Sequence, residues 1–274
     1  MHERERWQII KAMLRDSGLV RVSDVCRATG ASEASVRRDF ARLAGSGLAT
    51  RVHGGLEAAP GPNVGPSDRP GLATSSFDFS QTLNVAAKRA IAKAAVALCG
   101  DGEAIIINGG TTTFEMAVFL RGRRLKVLTN SYPLAETLIH DSKCRVALPG
   151  GEVYREQKLI VSPFEEDAIQ HYSASRMFMS AISIGPLGVI EGDPLIVRAE
   201  TKLLKRADKL IVLADSSKFV SGGSLVVCPL SRIDILITDR AAPPAALEML
   251  RESGVQTLLV DAEPAIAPRA REVA

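Results

Sequence analysis

The chain has little of what would signal several common chemistries. Its four cysteines, Cys26, Cys99, Cys144 and Cys228, are far apart and form no CxxC or Cys/His cluster. That spacing offers neither a zinc site nor a disulfide framework, and it reads as small apolar side chains in a reducing cytoplasm. No apolar run reaches the roughly 18 residues of a membrane span. The charged start MHERERWQII lacks the apolar centre of a secretion signal. Also missing are GxxxxGKS or GxxxxGKT, a GxGxxG after a strand, HExxH and GxSxG. ATP, NAD, zinc proteolysis and serine-nucleophile chemistry therefore receive no support. His140 and His171 stand in unrelated helical contexts and read as surface or interface residues. The expectation is a cytoplasmic protein without cofactor, metal or catalytic residues.

What is present is unevenly placed. Residues 1–58 hold ten Lys/Arg against seven Asp/Glu, whereas residues 59–274 hold twenty-four of each. The net charge of +3 thus lies wholly in the first fifth of the chain, as expected of a segment that meets a polyanion. Proline, glycine and small residues dominate EAAPGPNVGPSDRPGLATSS at 57–76, where neither helix nor strand should persist. The expected organisation is a small domain over residues 1–58, a linker over 59–76, a larger domain over 77–262 and a tail over 263–274.

In the small domain, Trp7, Ile10, Met13 and Leu14 share a helical face that Gly18 ends. LVRV at 19–22 alternates like a short strand. Ser23 is placed to cap a second helix that Gly30 stops, and Ser32 to cap a third from Glu33 to about Ala44. Val36, Phe40 and Leu43 follow the core spacing of that third helix. Ser35, Arg38 and Arg42 occupy another face, with Arg37 beside it. GLATRVHGGLEA then reads as a hairpin turning at His53-Gly54-Gly55.

Two short helices around a glycine-containing turn, followed by a hairpin, form a winged helix-turn-helix pattern. Arginine suits the task because its planar fork grips a phosphate or the O6/N7 edge of guanine with two bonds. A solvated helix whose arginines pair with Glu33 and Asp39 is the plainer reading of SVRRDF taken alone. The wider stretch ASEASVRRDFARLAGSGLATRVHGGL resembles the N-terminal domain of the DeoR family of bacterial regulators. The matching residues are Ser32, Arg37, Arg38, Asp39, Leu43, Arg51, His53, Gly54 and Gly55, with Phe40 where leucine is usual. The resemblance implies that the third helix enters the major groove of double-stranded operator DNA and the wing touches its backbone. The expected DNA contacts are Ser32, Ser35, Arg37, Arg38, Arg42, Arg51, His53 and Gly54.

The larger domain alternates apolar strands with helices: EAIII (103–107), KVLT (126–129), CRVAL (144–148), KLIVLA (209–214) and DILIT (234–238). This order argues for a mainly parallel α/β sheet covered on both faces. Ligands of such sheets bind beyond the carboxyl ends of the strands. Those ends carry Gly110-Thr111-Thr112-Thr113, Asn130, Gly150-Gly151 and Asp215-Ser216-Ser217-Lys218. Glycine and threonines before a helix can seat a phosphate on free N–H groups. Lys218 adds a cation, while Asp215 and Asn130 can meet sugar hydroxyls. A tight turn and a helix cap are the plainer readings of these loops.

From about Asn84 to Thr238 the chain also resembles the DeoR-family C-terminal domain, which is related to ribose-5-phosphate isomerase and CoA transferases. Lys88-Arg89-Ala90-Ile91-Ala92, Gly110-Thr111-Thr112-Thr113, Thr129-Asn130, Gly150-Gly151 and Asp215 to Phe219 carry that likeness. Ser180 stands where the family often has glycine. The resemblance implies a regulator, most simply a repressor of a carbohydrate operon, that senses a phosphorylated sugar or polyol and works as a dimer or tetramer. The expected effector residues are Gly110, Thr111, Thr112, Thr113, Asn130, Gly150, Gly151, Asp215 and Lys218. Two alternatives are a sugar-phosphate isomerase or transferase, with Glu200 and Asp215 as candidate bases, and a larger domain that only oligomerises.

Overall fold

Apolar spacing in the first part of the chain builds helices around one small core. The computed structural model describes residues 3–17, 19–45, 49–52, 55–58, 77–162, 164, 167–219 and 223–262. Helix α1 (Glu3–Ser17) buries Ile10 and Leu14, and strand β1 (Leu19–Arg21) follows. The second helix, α2 (Val22–Thr29), starts two residues earlier than the Ser23 cap predicts. Arg21, extended, holds the capping position without a side-chain bond. Val22 and Val25 are both buried, and bringing both inward sets the first turn there. Gly30 ends this helix at φ +67°, its N–H bonded to Cys26 O, a left-handed position that glycine adopts without strain.

Ser32 caps α3 (Glu33–Gly45) as expected, accepting from Ser35 N at 3.4 Å. Val36, Phe40 and Leu43 are all buried, each worth about 1.5–3 kcal/mol of transfer free energy. β2 (Ala49–Val52) and β3 (Gly55–Ala58) form the predicted antiparallel hairpin, and β1 joins β3 to give the order β1-β3-β2. A short helix, α4 (Phe77–Gln81), buries Phe77 and lies beside α1. The chain accordingly divides into the units Met1–Leu83 and Asn84–Ala274, which places residues 77–83 with the first unit. The expected opening of the larger domain at 77 lies seven residues before the second unit begins. The linker 59–76, the tail 263–274 and Gly18 lie outside the described residues.

The second unit is built on seven strands in the order β15-β14-β12-β9-β4-β5-β6, every pair parallel. In chain order its elements begin with α5 (Val85–Ala97), β4 (Ala104–Ile107), α6 (Thr111–Phe114), α7 (Met116–Leu120), β5 (Lys126–Thr129), α8 (Tyr132–Asp141) and β6 (Arg145–Ala147). A hairpin of β7 (Glu152–Tyr154) and β8 (Leu159–Val161) precedes β9 (Ala174–Ser180), β10 (Ser183–Gly185), β11 (Gly188–Glu191) and α9 (Pro194–Leu204). Then come β12 (Ala207–Leu213), β13 (Leu225–Cys228), β14 (Ile235–Asp239), α10 (Pro244–Glu252) and β15 (Gln256–Val260).

Alternate residues of each strand feed the two faces. Ile105, Ile107, Val127, Leu213 and Ile237 pack under Ile91 of α5, Leu120 of α7 and Leu134 of α8. Ile106, Leu128, Met177, Val212 and Leu236 pack under Leu203 of α9 and Leu250 of α10. The predicted parallel sheet with both faces covered is therefore the fold. RMFMS forms β9 at its centre, with Met177, Phe178 and Met179 fully buried. Among the cysteines, Cys99 and Cys228 are buried, whereas Cys26 and Cys144 are half-buried.

Candidate nucleic-acid interface and candidate effector site

The third helix separates its faces sharply. Opposite its core stripe, Ser32, Arg37, Arg38 and Arg42 are exposed and Ser35 is half-buried. Arg37 Nη2 reaches Glu33 Oε2 at 3.2 Å, and Arg38 Nε donates to Ala34 O at 3.3 Å. Both are surface contacts of the kind that contributes little, so neither holds its arginine back from another partner. Arg51 lies on β2, one strand of the wing, whereas His53 and Gly54 lie outside the described residues.

Asp39 behaves differently from the arginines before it. It is 2% exposed and accepts from Arg6 Nε at 2.8 Å and Trp7 Nε1 at 3.0 Å. It is thus not a surface partner of the neighbouring arginines but the clasp that fastens α3 to α1.

In the second unit, the carboxyl ends of the strands gather polar groups that the core would otherwise exclude. Asn108, just after β4, donates from Nδ2 to Glu200 Oε1 at 2.7 Å and accepts from Ser180 N at 3.0 Å. Gly109 N donates to Asn130 Oδ1 at 2.8 Å. A Cβ on Gly110 would stand 1.7 Å from Ser180 Oγ, so only glycine fits there. Asn84 Nδ2 donates to Asp215 Oδ1 at 3.0 Å, and Ser216 N donates to Asp239 Oδ1 at 2.7 Å.

Four buried side-chain atoms have no hydrogen-bond partner among the described residues: Asn130 Nδ2, Glu200 Oε2, Asp215 Oδ2 and Thr238 Oγ1. Asn130 and Asp215 follow β5 and β12, Thr238 lies near the end of β14, and Glu200 is held by Asn108 after β4. All four belong to the carboxyl edge of the sheet. Buried polar atoms are nearly always paired, so their concentration at one edge makes it the candidate site for a polar ligand.

Charge at this edge is tuned by burial. Lys88 of α5 is 3% exposed. Burial pushes its ammonium down from 10.5 to about 8; Asp215 opposes that depression and Lys218 adds to it. Burial, and then neighbouring Glu191, hold the Glu200 carboxyl well above the usual range.

Of the expected effector residues, Asn130 and Asp215 are buried in this cluster, and Lys218 lies close enough to influence Lys88. Gly110 and Thr111 border it. Thr112 and Thr113 are buried, and Thr113 Oγ1 donates back to Gly110 O at 3.0 Å. The helix they begin, α6, is four residues long, too short for the dipole seat that the sequence suggested. Gly150 and Gly151 are exposed in the turn that leads into β7. Lys88, Asn84 and Asn108 are not among the expected site residues, and Glu200 is expected only as a candidate base of the enzyme alternative. KRAIA was visible as a motif, but the burial of its lysine was not.

A model of the DeoR-like helix-turn-helix domain matches residues 6–60, and one of the DeoR C terminal sensor domain matches residues 83–240. The chain belongs to the DeoR family. The HTH-type transcriptional regulators UlaR of Shigella dysenteriae serotype 1 and of Escherichia coli O1:K1 / APEC are each 34% identical to it over 261 residues, 95% of this chain and all of theirs. This DeoR-family chain is therefore a helix-turn-helix transcriptional regulator, the clustered arginines lying in the matched DNA-binding segment and the buried polar edge in the matched sensor domain. Among solved structures, ribose 5-phosphate isomerase A from Methanocaldococcus jannaschii aligns with TM-score 0.36 and 18% identity, covering 48% of this chain and 53% of that one. Translation initiation factor eIF-2B from Pyrococcus horikoshii OT3 aligns at 0.37 and 15%, covering 85% of each. No described helix is long and apolar enough to cross a membrane.

Proposed function

We propose that this regulator represses a carbohydrate catabolic operon and that a phosphorylated sugar or polyol controls its grip on DNA. Ser32, Ser35, Arg37, Arg38 and Arg42 of α3 read the major groove, and Arg51, His53 and Gly54 of the wing meet the backbone. Two heads are needed, since one small module buries too little surface for operator specificity, so the protein works as a homo-oligomer. Lys88 and Lys218 take the phosphate, with N–H groups around Gly110 and Thr111 beside them. Asn130, Asp215 and Glu200 take the hydroxyls.

The observation that carries this reading is the convergence of every unpartnered buried side-chain atom among the described residues on one edge, next to a buried cation. An enzyme reading would need a base aimed at a substrate carbon. Of the two candidate bases, one oxygen of each is already bonded, Glu200 by Asn108 and Asp215 by Asn84 and Ser217, and neither is set against a carbon-bound proton by any contact described.

A thermal-shift screen of sugar and polyol phosphates tests the reading, because a ligand of the folded state raises the melting temperature. The hits are then titrated against operator-bound protein. Lys218→Ala is expected to keep operator affinity and lose the response to the hit. An unchanged titration in that variant would remove Lys218 from the site, and a panel with no hits would remove the sensing role.

A further inference from the structure

We infer that this regulator self-associates through strand β6, the basic amino end of that edge in one copy meeting the β7–β8 hairpin of the other. The inference rests on the reading above that the protein works as an oligomer, and it names the surface. β6 ends the seven-stranded sheet, with β5 on one flank and no described strand on the other. Such an edge offers unpaired backbone groups to another chain.

The amino end of this edge is positively charged in an unusual way. Lys126 stands directly beside Arg145 in the parallel register of β5 and β6, and Lys143 lies two residues before it. All three are exposed and make no ion pair among the described residues. Like charges directly opposite on neighbouring strands repel, so this arrangement gains from an anionic cover. Lys126 and Arg145 also share a face. Leu128 and Ala147, two residues further along each strand, pack on the core under α9, whereas Val127 and Val146 pack on the core under α5. Beside the two cations opens a cleft of about 560 Å³, lined also by Ala104, Ala147, His171 and Tyr172.

At the other end of β6 the character reverses. The hairpin exposes Val153, 51% accessible, and on either side of it in sequence Glu152 and Glu156 of the turn are exposed as well. Neither carboxylate forms an ion pair among the described residues. A two-fold axis beside β6 sets two such edges antiparallel. Each basic end then faces an acidic hairpin, and the match is made twice, as in any isologous contact. Val153 supplies the apolar group for the cleft and Glu156 of the turn the charge that Lys126 and Arg145 lack, while Glu152, on the opposite face of β7, adds to the hairpin's negative field.

Charge exchange in the full-length chain tests this, with mass read by sedimentation velocity at fixed salt and folding checked by circular dichroism. Lys126→Glu with Arg145→Glu, and separately Glu152→Lys with Glu156→Lys, should each raise the self-association constant for dissociation at least about tenfold, since juxtaposed like charges are strongly unfavourable. All four changes together should recover most of the loss. Wild-type association in both double variants, or no recovery in the combined one, overturns this surface while leaving an oligomeric regulator intact. A wild-type chain that stays monomeric at operator-binding concentrations overturns the surface and the oligomer together. Loss of DNA affinity at unchanged mass in Lys126→Glu/Arg145→Glu would mean that these cations face nucleic acid, and also overturns it. Should a double variant fail to fold, salt gives an independent reading: wild-type association must weaken as ionic strength rises, and a flat profile refutes the charge match.

Discussion

Replacing Asp39 by alanine separates the part of the RRD triplet that holds the head together from the part that meets DNA. The carboxylate is 2% exposed and accepts from Arg6 Nε and Trp7 Nε1, while the Arg6 side chain is itself only 15% accessible. Truncation leaves a largely buried guanidinium and an indole N–H without that acceptor, a loss of about 3–5 kcal/mol. A unit of this size holds roughly 4–12 kcal/mol in total. With a urea slope near 1 kcal/mol/M for a small domain, the midpoint should fall by about 3 M or more. Trp7 is the single tryptophan of the chain and lies at the lesion, so its emission in a urea titration reports this unit alone. Arg38→Ala is the counterpart: the side chain is exposed with one backbone bond of 3.3 Å, and its removal should shift stability by no more than about 0.5 kcal/mol. Both variants should lose operator affinity in fluorescence anisotropy, but only Asp39→Ala should lose the Trp7 transition. A wild-type Trp7 midpoint in Asp39→Ala would refute the clasp. Wild-type affinity for Arg38→Ala at equal salt would refute α3 as the DNA face.

Lys88 makes stability depend on pH. Between about pH 8 and 10.5 the unfolded chain keeps a proton that the folded chain has released, so this group's contribution rises with pH across that window, by on the order of 3 kcal/mol. Lys88→Met should lose that rise when urea midpoints are compared at the two ends of the window, and an unchanged slope would argue against a buried ammonium. Glu200 has the opposite sign. Its folded carboxyl stays protonated above the range where the unfolded one ionises, so its contribution is present at low pH and declines as pH increases. Glu200→Gln retains an acceptor for Asn108, so it should melt at least as high as wild type at neutral pH and show a flatter profile. A melting temperature several degrees lower would mean that the native carboxyl is charged.

Local pattern carried a good deal of this structure. The spacing of Val36, Phe40 and Leu43, the caps at Ser32 and Gly30, and the short apolar strands are all set by neighbours within a few residues, and such features can be read from the sequence. What escaped depends on which distant segments meet. Asp39 bonds to residues more than thirty positions away, and Asn108 to Glu200 ninety-two positions away, contacts that exist only once strand order is set. The threonines after Gly110 look like a displayed phosphate loop. Thr112 and Thr113 instead lie buried, Thr113 Oγ1 bonding back to Gly110 O. Lys88 lay in a recognised motif, yet an amphipathic helix pattern predicts solvent for a lysine. Its neighbours Asp215 and Lys218 lie more than 120 positions away, a proximity that no local pattern displays.

An effector must bind the DNA-competent and released states unequally to move the balance between them, and Asn84 is placed to register its arrival. It is the first residue of the second unit, next to Leu83 where the first unit ends. It adopts a left-handed backbone at φ +50°, and its side chain donates to Asp215 Oδ1 at 3.0 Å and Ser217 Oγ at 3.3 Å. The other Asp215 oxygen is one of the unpartnered atoms of the site. On the proposed reading, a ligand hydroxyl at that oxygen would fix the carboxylate and with it Asn84, the first residue of the second unit. Asn84→Gly removes the side-chain link while keeping a residue that tolerates the left-handed backbone. The variant should bind effector within a few-fold of wild type, by calorimetry, yet release operator less completely when effector is added. If operator release matches wild type at saturating effector, the signal leaves the site by another route.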